Sequence, residues 1–148
     1  MILVLPMDEF DIQNMEIQDK IKNSIIYGGC FNKIIYTDPF FTLNSIFIEL
    51  RVDVSHVDKY FNKYKVYLKE GNDKLHTFLS SIEENILYNM DFKDKDPVYR
   101  IKEQLKNNYF KVINNNNNLT DITHIILKIS GIWSDHINYG LTFRFFIP

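Results

Sequence analysis

The sequence predicts a single α+β domain in which antiparallel strands pack against one main helix. The length of 148 residues suits one domain with a substantial core. Strand-like alternation precedes a helical stripe, and further strand-like runs follow it, which is typical of an α+β order. The connections between strands are short and favour antiparallel pairing. No repeat or change in composition divides the chain, so residues 1–148 are expected to form one unit.

The first half of the chain carries the clearest strand signals. "CFNKIIYTD" is rich in Phe, Ile and Tyr and ends at Asp38-Pro39, where proline removes a ladder donor. "FFTLNSIFIELRVDVS" alternates apolar and polar residues, which predicts one face on a core and the other toward solvent or a ligand. Its apolar face holds Ile46, Ile48, Leu50, Val52 and Val54. The stretch 58–69 is interpreted as a further strand, whereas residues 1–22 predict no particular element.

A helix is predicted to follow, with Asn72 or Asp73 as its N-cap. Apolar residues then recur at every third or fourth position, as they do on one face of a helix. These residues are Leu75, Phe78, Leu79, Ile82 and Ile86. Asp96-Pro97 predicts the cap and first turn of a second, short helix. "YFKVI" predicts a brief strand, and the run of five asparagines after it predicts a loop.

The chain closes with "ILKISGIWSDHINYGLTFRFFIP", in which two apolar-rich runs flank a polar turn and predict a β-hairpin. The coarse order is therefore strands, then one or two helices, then a hairpin, which suggests a β-β-β-α-β-β succession. A five-stranded OB barrel has this order, with its helix between strands three and four. We expect an antiparallel five-stranded OB-like barrel or curled sheet.

Composition narrows the class of protein. The net charge of −2 argues against a strongly basic nucleic-acid binder, so a nucleic-acid site would have to be a local patch. The single cysteine, Cys30, excludes an internal disulfide and fits a reducing compartment. The apolar start, 1–7, contains Pro6 and lacks a basic leader, so it predicts neither a signal peptide nor a membrane span. An intracellular, soluble protein without membrane contact is expected.

The chain contains no alanine but 21 isoleucines and 16 asparagines. Ile, Asn, Lys, Tyr and Phe share AT-rich codons, so this composition indicates an AT-rich genome. Large DNA viruses and some protists have such genomes. For a viral protein, the expected location is the cytoplasm or nucleus of the infected cell, or the virion.

The residue patterns that would indicate catalysis or metal binding are incomplete. Asp53, His56 and Asp58 are close in sequence, but a metal site needs three or four convergent ligands, and no fourth is evident. Cys30 has no base placed beside it, and it is typical of a small buried hydrophobe. Adjacent Glu83-Glu84 side chains would diverge on a helix. The sequence therefore predicts no enzyme, metal or cofactor.

A binding surface has more support. The stretch 58–69 interleaves lysines with aromatic residues, and cations beside rings suit single-stranded nucleic acid, in which phosphates and bases are both accessible. In the final hairpin, one lysine and one arginine lie on strand faces that are polar enough to meet a ligand. The predicted base-stacking residues are Tyr64, Tyr67 and Trp133, and the predicted phosphate contacts are Lys63, Lys65, Lys69, Lys128 and Arg144. The alternative is that composition alone produces this mixture, or that the lysines protect an exposed sheet edge.

The ending "ILKISGIWSDHINYGLTFRFF" resembles the last two strands of small OB-fold single-stranded-DNA-binding proteins of bacteriophages and large DNA viruses. Those strands have an aromatic residue after a short apolar run, then a polar turn and a glycine followed by alternating residues. Trp133, Gly140 and Leu141 occupy these positions here. The resemblance covers about twenty residues and implies non-enzymatic coating of exposed strands. Phage members usually carry an acidic, aromatic-tipped tail, whereas this sequence ends at Pro148.

A structural or assembly protein is the rival class. The apolar end formed by Phe143, Phe145, Phe146 and Ile147 must pack somewhere, and an interface with other viral proteins would serve as well as a core. A dimer is the commonest soluble oligomer and so the expected form of self-association. The sequence does not distinguish DNA from RNA as the ligand.

Overall fold

The chain folds into an eleven-stranded mixed sheet with two helices, in the residues that the structure describes. This computed structural model describes residues 3–23, 29–113 and 121–148. The strands are β1 Leu5–Pro6, β2 Met15–Asn23, β3 Gly29–Thr37, β4 Thr42–Leu43, β5 Ile46–Arg51, β6 Val54–Tyr60, β7 Lys63–Leu68, β8 Asp96–Val98, β9 Tyr109–Ile113, β10 His124–Ser134 and β11 Asn138–Phe146. The helices are α1 Asp73–Tyr88 and α2 Arg100–Lys106, and two 3-10 turns cover Met7–Glu9 and Ile12–Asn14.

The sheet branches at β10. On one side β10 pairs antiparallel with β11. On its other side it pairs first with β5 and then, beyond an irregularity between Ile129 and Gly131, with β3. The main path runs β1-β5-β10-β11-β9-β7-β6, while β3 also carries β2 and β4. The long final hairpin therefore stands at the centre of the sheet.

The predicted α+β, five-stranded antiparallel barrel is wrong. The sheet has eleven strands, and β1–β5, β8–β11 and β9–β11 are parallel pairs. The stretch 58–69 is a hairpin of two strands, because the chain turns at Phe61, whose φ is 54°. Residues 15–23 form a full edge strand although their spacing predicted none. Strands of two or three residues are too short to show any period in sequence.

The second helix begins later than predicted. Asp96 and Pro97 pair with β11 as part of β8, and the Asp96 N–H donates to the Ile137 carbonyl. Helix α2 begins only at Arg100 and has no side-chain cap of its own. The predicted strands at β3 and β9, helix α1 and the antiparallel final hairpin are confirmed. The strand predicted over 40–55 is confirmed only in part, because β5 ends at Arg51 and Val54 begins β6. The predicted asparagine loop lies outside the described residues.

The core lies between α1 and the inner side of the sheet. Leu75, Leu79, Ile82 and Ile86 are buried along α1, as their spacing predicted. They join strand residues in one apolar cluster. The apolar chain end belongs to this cluster: Phe145 is 1% exposed, and Phe143 and Ile147 pack against the core. Phe146 lies half-buried on the other side of β11, with its ring centroid 6.3 Å from that of Phe47.

A buried carboxylate joins the two helices. Glu83 of α1 is fully buried, and its two oxygens accept the N–H groups of Ile101 and Lys102, each at 2.9 Å. Because the first turn of a helix leaves such N–H groups without partners, Glu83 caps α2 from another element. Burial raises the pKa of the Glu83 carboxyl above its ordinary value of 4.5, although the two backbone hydrogen bonds act in the opposite direction. The position of α2 thus depends on Glu83.

We expect Glu83→Gln to lower the free energy of unfolding by about 1–3 kcal/mol at neutral pH, because a glutamine has one acceptor oxygen for two buried N–H groups. The difference in free energy of unfolding between the wild type and Glu83→Gln should decrease as the pH rises from about 4.5. The folded state holds its proton to higher pH than the unfolded chain does, so ionisation costs stability in that range. Urea unfolding of both proteins at pH 4 and pH 7 measures this difference.

Glu84→Gln is the matched control, since Glu84 is an exposed neighbour that pairs with Lys102 at the surface. Loss of this surface ion pair should change the free energy of unfolding by less than about 1 kcal/mol. A wild-type advantage over Glu83→Gln that grows with pH would contradict the burial of an ionisable group with a raised pKa.

Candidate nucleic-acid interface

Strands β7 and β9 separate apolar from cationic and aromatic side chains. On the core side lie Tyr64, Val66, Leu68, Phe110 and Val112, all of which are buried. On the opposite side, which we call the outer face, lie Lys63, Lys65, Tyr67, Tyr109, Lys111 and Ile113. This alternation follows from the two-residue period of a strand.

The register of β7 and β9 places one lysine opposite another and one tyrosine opposite another. Lys65 stands directly opposite Lys111, and Tyr67 stands opposite Tyr109. The Lys65 Nζ lies 5.1 Å from the centroid of the Tyr109 ring. Like charges directly opposite one another on a sheet are destabilising. A bound anion would remove that cost.

The ladder along β11 is interrupted beside this surface. β8 pairs with β11 through Asn138–Gly140, and β9 pairs with it through Phe145–Phe146. Neither strand pairs with residues 141–144, and we call this interval the β11 gap. Helix α2 connects β8 to β9, and it contributes Arg100 and Gln104 to the wall of a pocket beside the gap.

Two neighbouring pockets open on this side of the molecule. The first, the gap pocket, has a volume of about 420 Å³ and is lined by Lys63, Arg100, Gln104, Lys111, Ile113, Trp133, Leu141, Thr142, Phe143, Arg144 and Phe145. The second, the strand pocket, has a volume of about 320 Å³ and is lined by Tyr60, Lys63, Tyr64, Lys65, Tyr109 and Lys111. Lys63 and Lys111 belong to both. No acidic residue is among these lining residues; Asp58 stands opposite Lys65 on the edge strand β6, outside both pockets.

Trp133 is part of the gap pocket, but its ring is covered. It stands opposite Gly140, where a β-carbon would lie 3.0 Å from the indole. On the ring, the Arg100 guanidinium lies 4.7 Å from the centroid. The indole Nε1 is buried and makes no hydrogen bond with the described residues. Base stacking on Trp133 would therefore require Arg100 to move.

The structure brings half of the predicted binding residues into the two pockets as exposed or half-buried groups. Lys63, Trp133 and Arg144 line the gap pocket, and Lys63 and Lys65 line the strand pocket. Lys128 lies one strand further along, directly opposite Arg144, with its Nζ 5.6 Å from the Phe47 ring centroid.

The remaining predicted residues are not open to a ligand in the predicted way. Tyr64 borders the strand pocket but is only 6% exposed and belongs to the core, so its ring is not available for stacking. Tyr67 is on the outer face, but His56 stacks on it with 4.2 Å between centroids. Lys69 follows the end of β7 and lines neither pocket.

Sequence reasoning missed four residues of this surface. Lys111 and Tyr109 alternate with buried Phe110 and Val112, so the alternation within "YFKVI" could have identified them. Tyr60 is 62% exposed at the end of β6, next to the turn that was not predicted. No sequence signal indicated Arg100, because its position depends on where α2 packs.

The residues considered in sequence as metal ligands or catalytic groups have other structural surroundings. Within the described residues, no three His, Cys, Asp or Glu side chains converge as a metal site would require. His56 stacks on Tyr67, and Glu83 caps α2. Cys30 is a half-buried free thiol on β3.

Comparison with known proteins finds no family model, curated protein or solved structure that matches this chain. The resemblance of the final hairpin to viral single-stranded-DNA-binding proteins therefore stays a prediction. Within the described ranges, no helix has both the length and the apolar character needed to cross a membrane.

We expect Arg100→Ala to increase the quenching of Trp133 fluorescence by acrylamide, since the guanidinium that covers the ring is removed. Trp133 is the single tryptophan, so the signal has one source. Lys102→Ala is the control, because Lys102 lies on the same helix but pairs with Glu84. Equal quenching in the wild type and Arg100→Ala would contradict the described stacking.

Proposed function

We propose that this protein binds single-stranded nucleic acid in the gap pocket and the strand pocket, without catalysing a reaction. One observation carries the proposal: five cations line the two pockets, and no carboxylate lies among the described lining residues. They are Lys63, Lys65, Arg100, Lys111 and Arg144. In a chain with a net charge of −2, this is the local concentration of positive charge that an electrically near-neutral binder requires.

The aromatic residues favour nucleic acid over a simple anion. Tyr60 and Tyr109 line the strand pocket, and Phe143 lines the gap pocket beside Trp133. A base stacked on an aromatic side chain contributes on the order of 1–3 kcal/mol, and stacking tolerates any base. In a duplex the flat faces of the bases are stacked on each other, so this arrangement favours a single strand.

The composition and the final hairpin indicate the process in which such binding would take place. An AT-rich viral genome and a resemblance to strand-coating proteins are consistent with protection of exposed strands during replication or repair. The rival function, assembly through the apolar chain end, has less support because Phe145 is buried in the core, although Phe146 and Ile147 are only half-buried.

The test is a titration of fluorescein-labelled dT30 at 50 mM and 200 mM salt, followed by anisotropy. We expect affinity to fall steeply with salt, with a log–log slope of about −3.5 if five phosphates are neutralised at about 0.7 per contact. Arg144→Gln and Lys63→Gln should each weaken binding and each reduce the slope by about 0.7. A 30-bp duplex should compete weakly.

Lys74→Gln is the charge-matched control, because Lys74 is exposed on α1 and lines neither pocket. It should leave binding unchanged. Absence of binding at 50 mM salt would overturn the proposal, as would equal losses in Lys74→Gln and Arg144→Gln. Equal binding of poly-glutamate would also overturn it, since the surface would then be a general anion site.

A further inference from the structure

The two pockets share a wall made of two lysines. Lys63 and Lys111 line both, whereas Arg100 and Arg144 line only the gap pocket and Lys65 lines only the strand pocket. Lys63 stands opposite Ile113, and Lys111 stands opposite Lys65, so the shared pair is diagonal across β7 and β9. Diagonal neighbours on one sheet face are about 7–8 Å apart at the backbone, within reach of a common ligand group for long side chains.

We infer that Lys63 and Lys111 grip one phosphodiester that joins two nucleotides, with one nucleotide in each pocket. This inference rests on the proposed function and specifies its ligand. The smallest ligand that occupies both pockets is then a dinucleotide. Binding there is independent of base sequence, because phosphate and stacking contacts carry no sequence information.

The strand pocket has the chemistry that one nucleoside needs. Its volume of about 320 Å³ lies at the lower end of small-ligand sites. Tyr60 presents a ring that is 62% exposed, and Tyr109 is half-buried beside the Lys65 ammonium. A base can stack on these rings while Lys63 and Lys111 hold its phosphate.

The gap pocket accepts the second nucleotide and continues the path of the strand. Its volume is about 420 Å³, and it joins apolar Phe143 to the cations Arg100 and Arg144. Gln104 accepts the Lys111 N–H through its Oε1 at 3.0 Å, which leaves its amide group as a donor. The two arginines are placed to meet the phosphate that follows the shared one.

A comparison of two small ligands tests the shared grip. TpT has one phosphodiester and one negative charge, whereas thymidine 5′-monophosphate carries nearly two. Net charge alone favours the monophosphate, but a grip between two pockets favours TpT. We expect TpT to bind at least about tenfold more tightly when both ligands are titrated against ¹⁵N-labelled protein by NMR.

Matched variants show which lysines form the grip. Lys111→Gln and Lys63→Gln should abolish the preference for TpT, whereas Lys65→Gln, which removes the same charge from one pocket only, should keep it. Binding of dT30 without a preference for TpT would overturn the grip and leave the proposed function standing. Equal losses in Lys65→Gln and Lys111→Gln would also overturn it, and failure of dT30 to bind would overturn both proposals.

Discussion

The helical wall of the gap pocket depends on one buried interaction, the capping of α2 by Glu83. Two N–H groups at the start of α2 have no partner within their own helix, and a carboxylate from α1 accepts both. Arg100 precedes these groups directly, so the interaction that fixes the start of α2 also fixes Arg100 above Trp133. Glu83 lines neither pocket, and its role is to position α2, which contributes Arg100 and Gln104 to the gap pocket.

The surface around the two pockets shows how a chain with a net negative charge keeps cations together. Three of its five cations lie near aromatic rings: Lys65 near Tyr109, Arg100 over Trp133 and Arg144 near Phe146. Lys128, on the neighbouring strand, lies near Phe47. Each such contact contributes about 0.5–1 kcal/mol when exposed. The rings thus offset part of the repulsion in the free protein. A bound strand would exchange these contacts for phosphates and bases, which links the stability of the surface to its function.

Local patterns in the sequence predicted local structure well. The helical stripe from Leu75 to Ile86 and the alternation in β5 each reflect burial of one face, and burial leaves a period in sequence. The architecture was mispredicted, because parallel pairing of β9 with β11 joins segments whose partners no local pattern identifies. Lys63 and Arg144 were both predicted as phosphate contacts, but Arg100, which lines the same pocket, was missed because its place there follows from tertiary packing.

If the proposed ligand surface is the pair of pockets around the β11 gap, a bound strand should perturb the residues that line them. The most direct measurement is the map of ¹⁵N amide shift changes when unlabelled dT12 is added. We expect the largest changes in β7, in β9, at the start of α2 and at 141–144. The proposal would be contradicted if the changes were concentrated on β2 or on the exposed side of α1, or if saturating dT12 moved no amide.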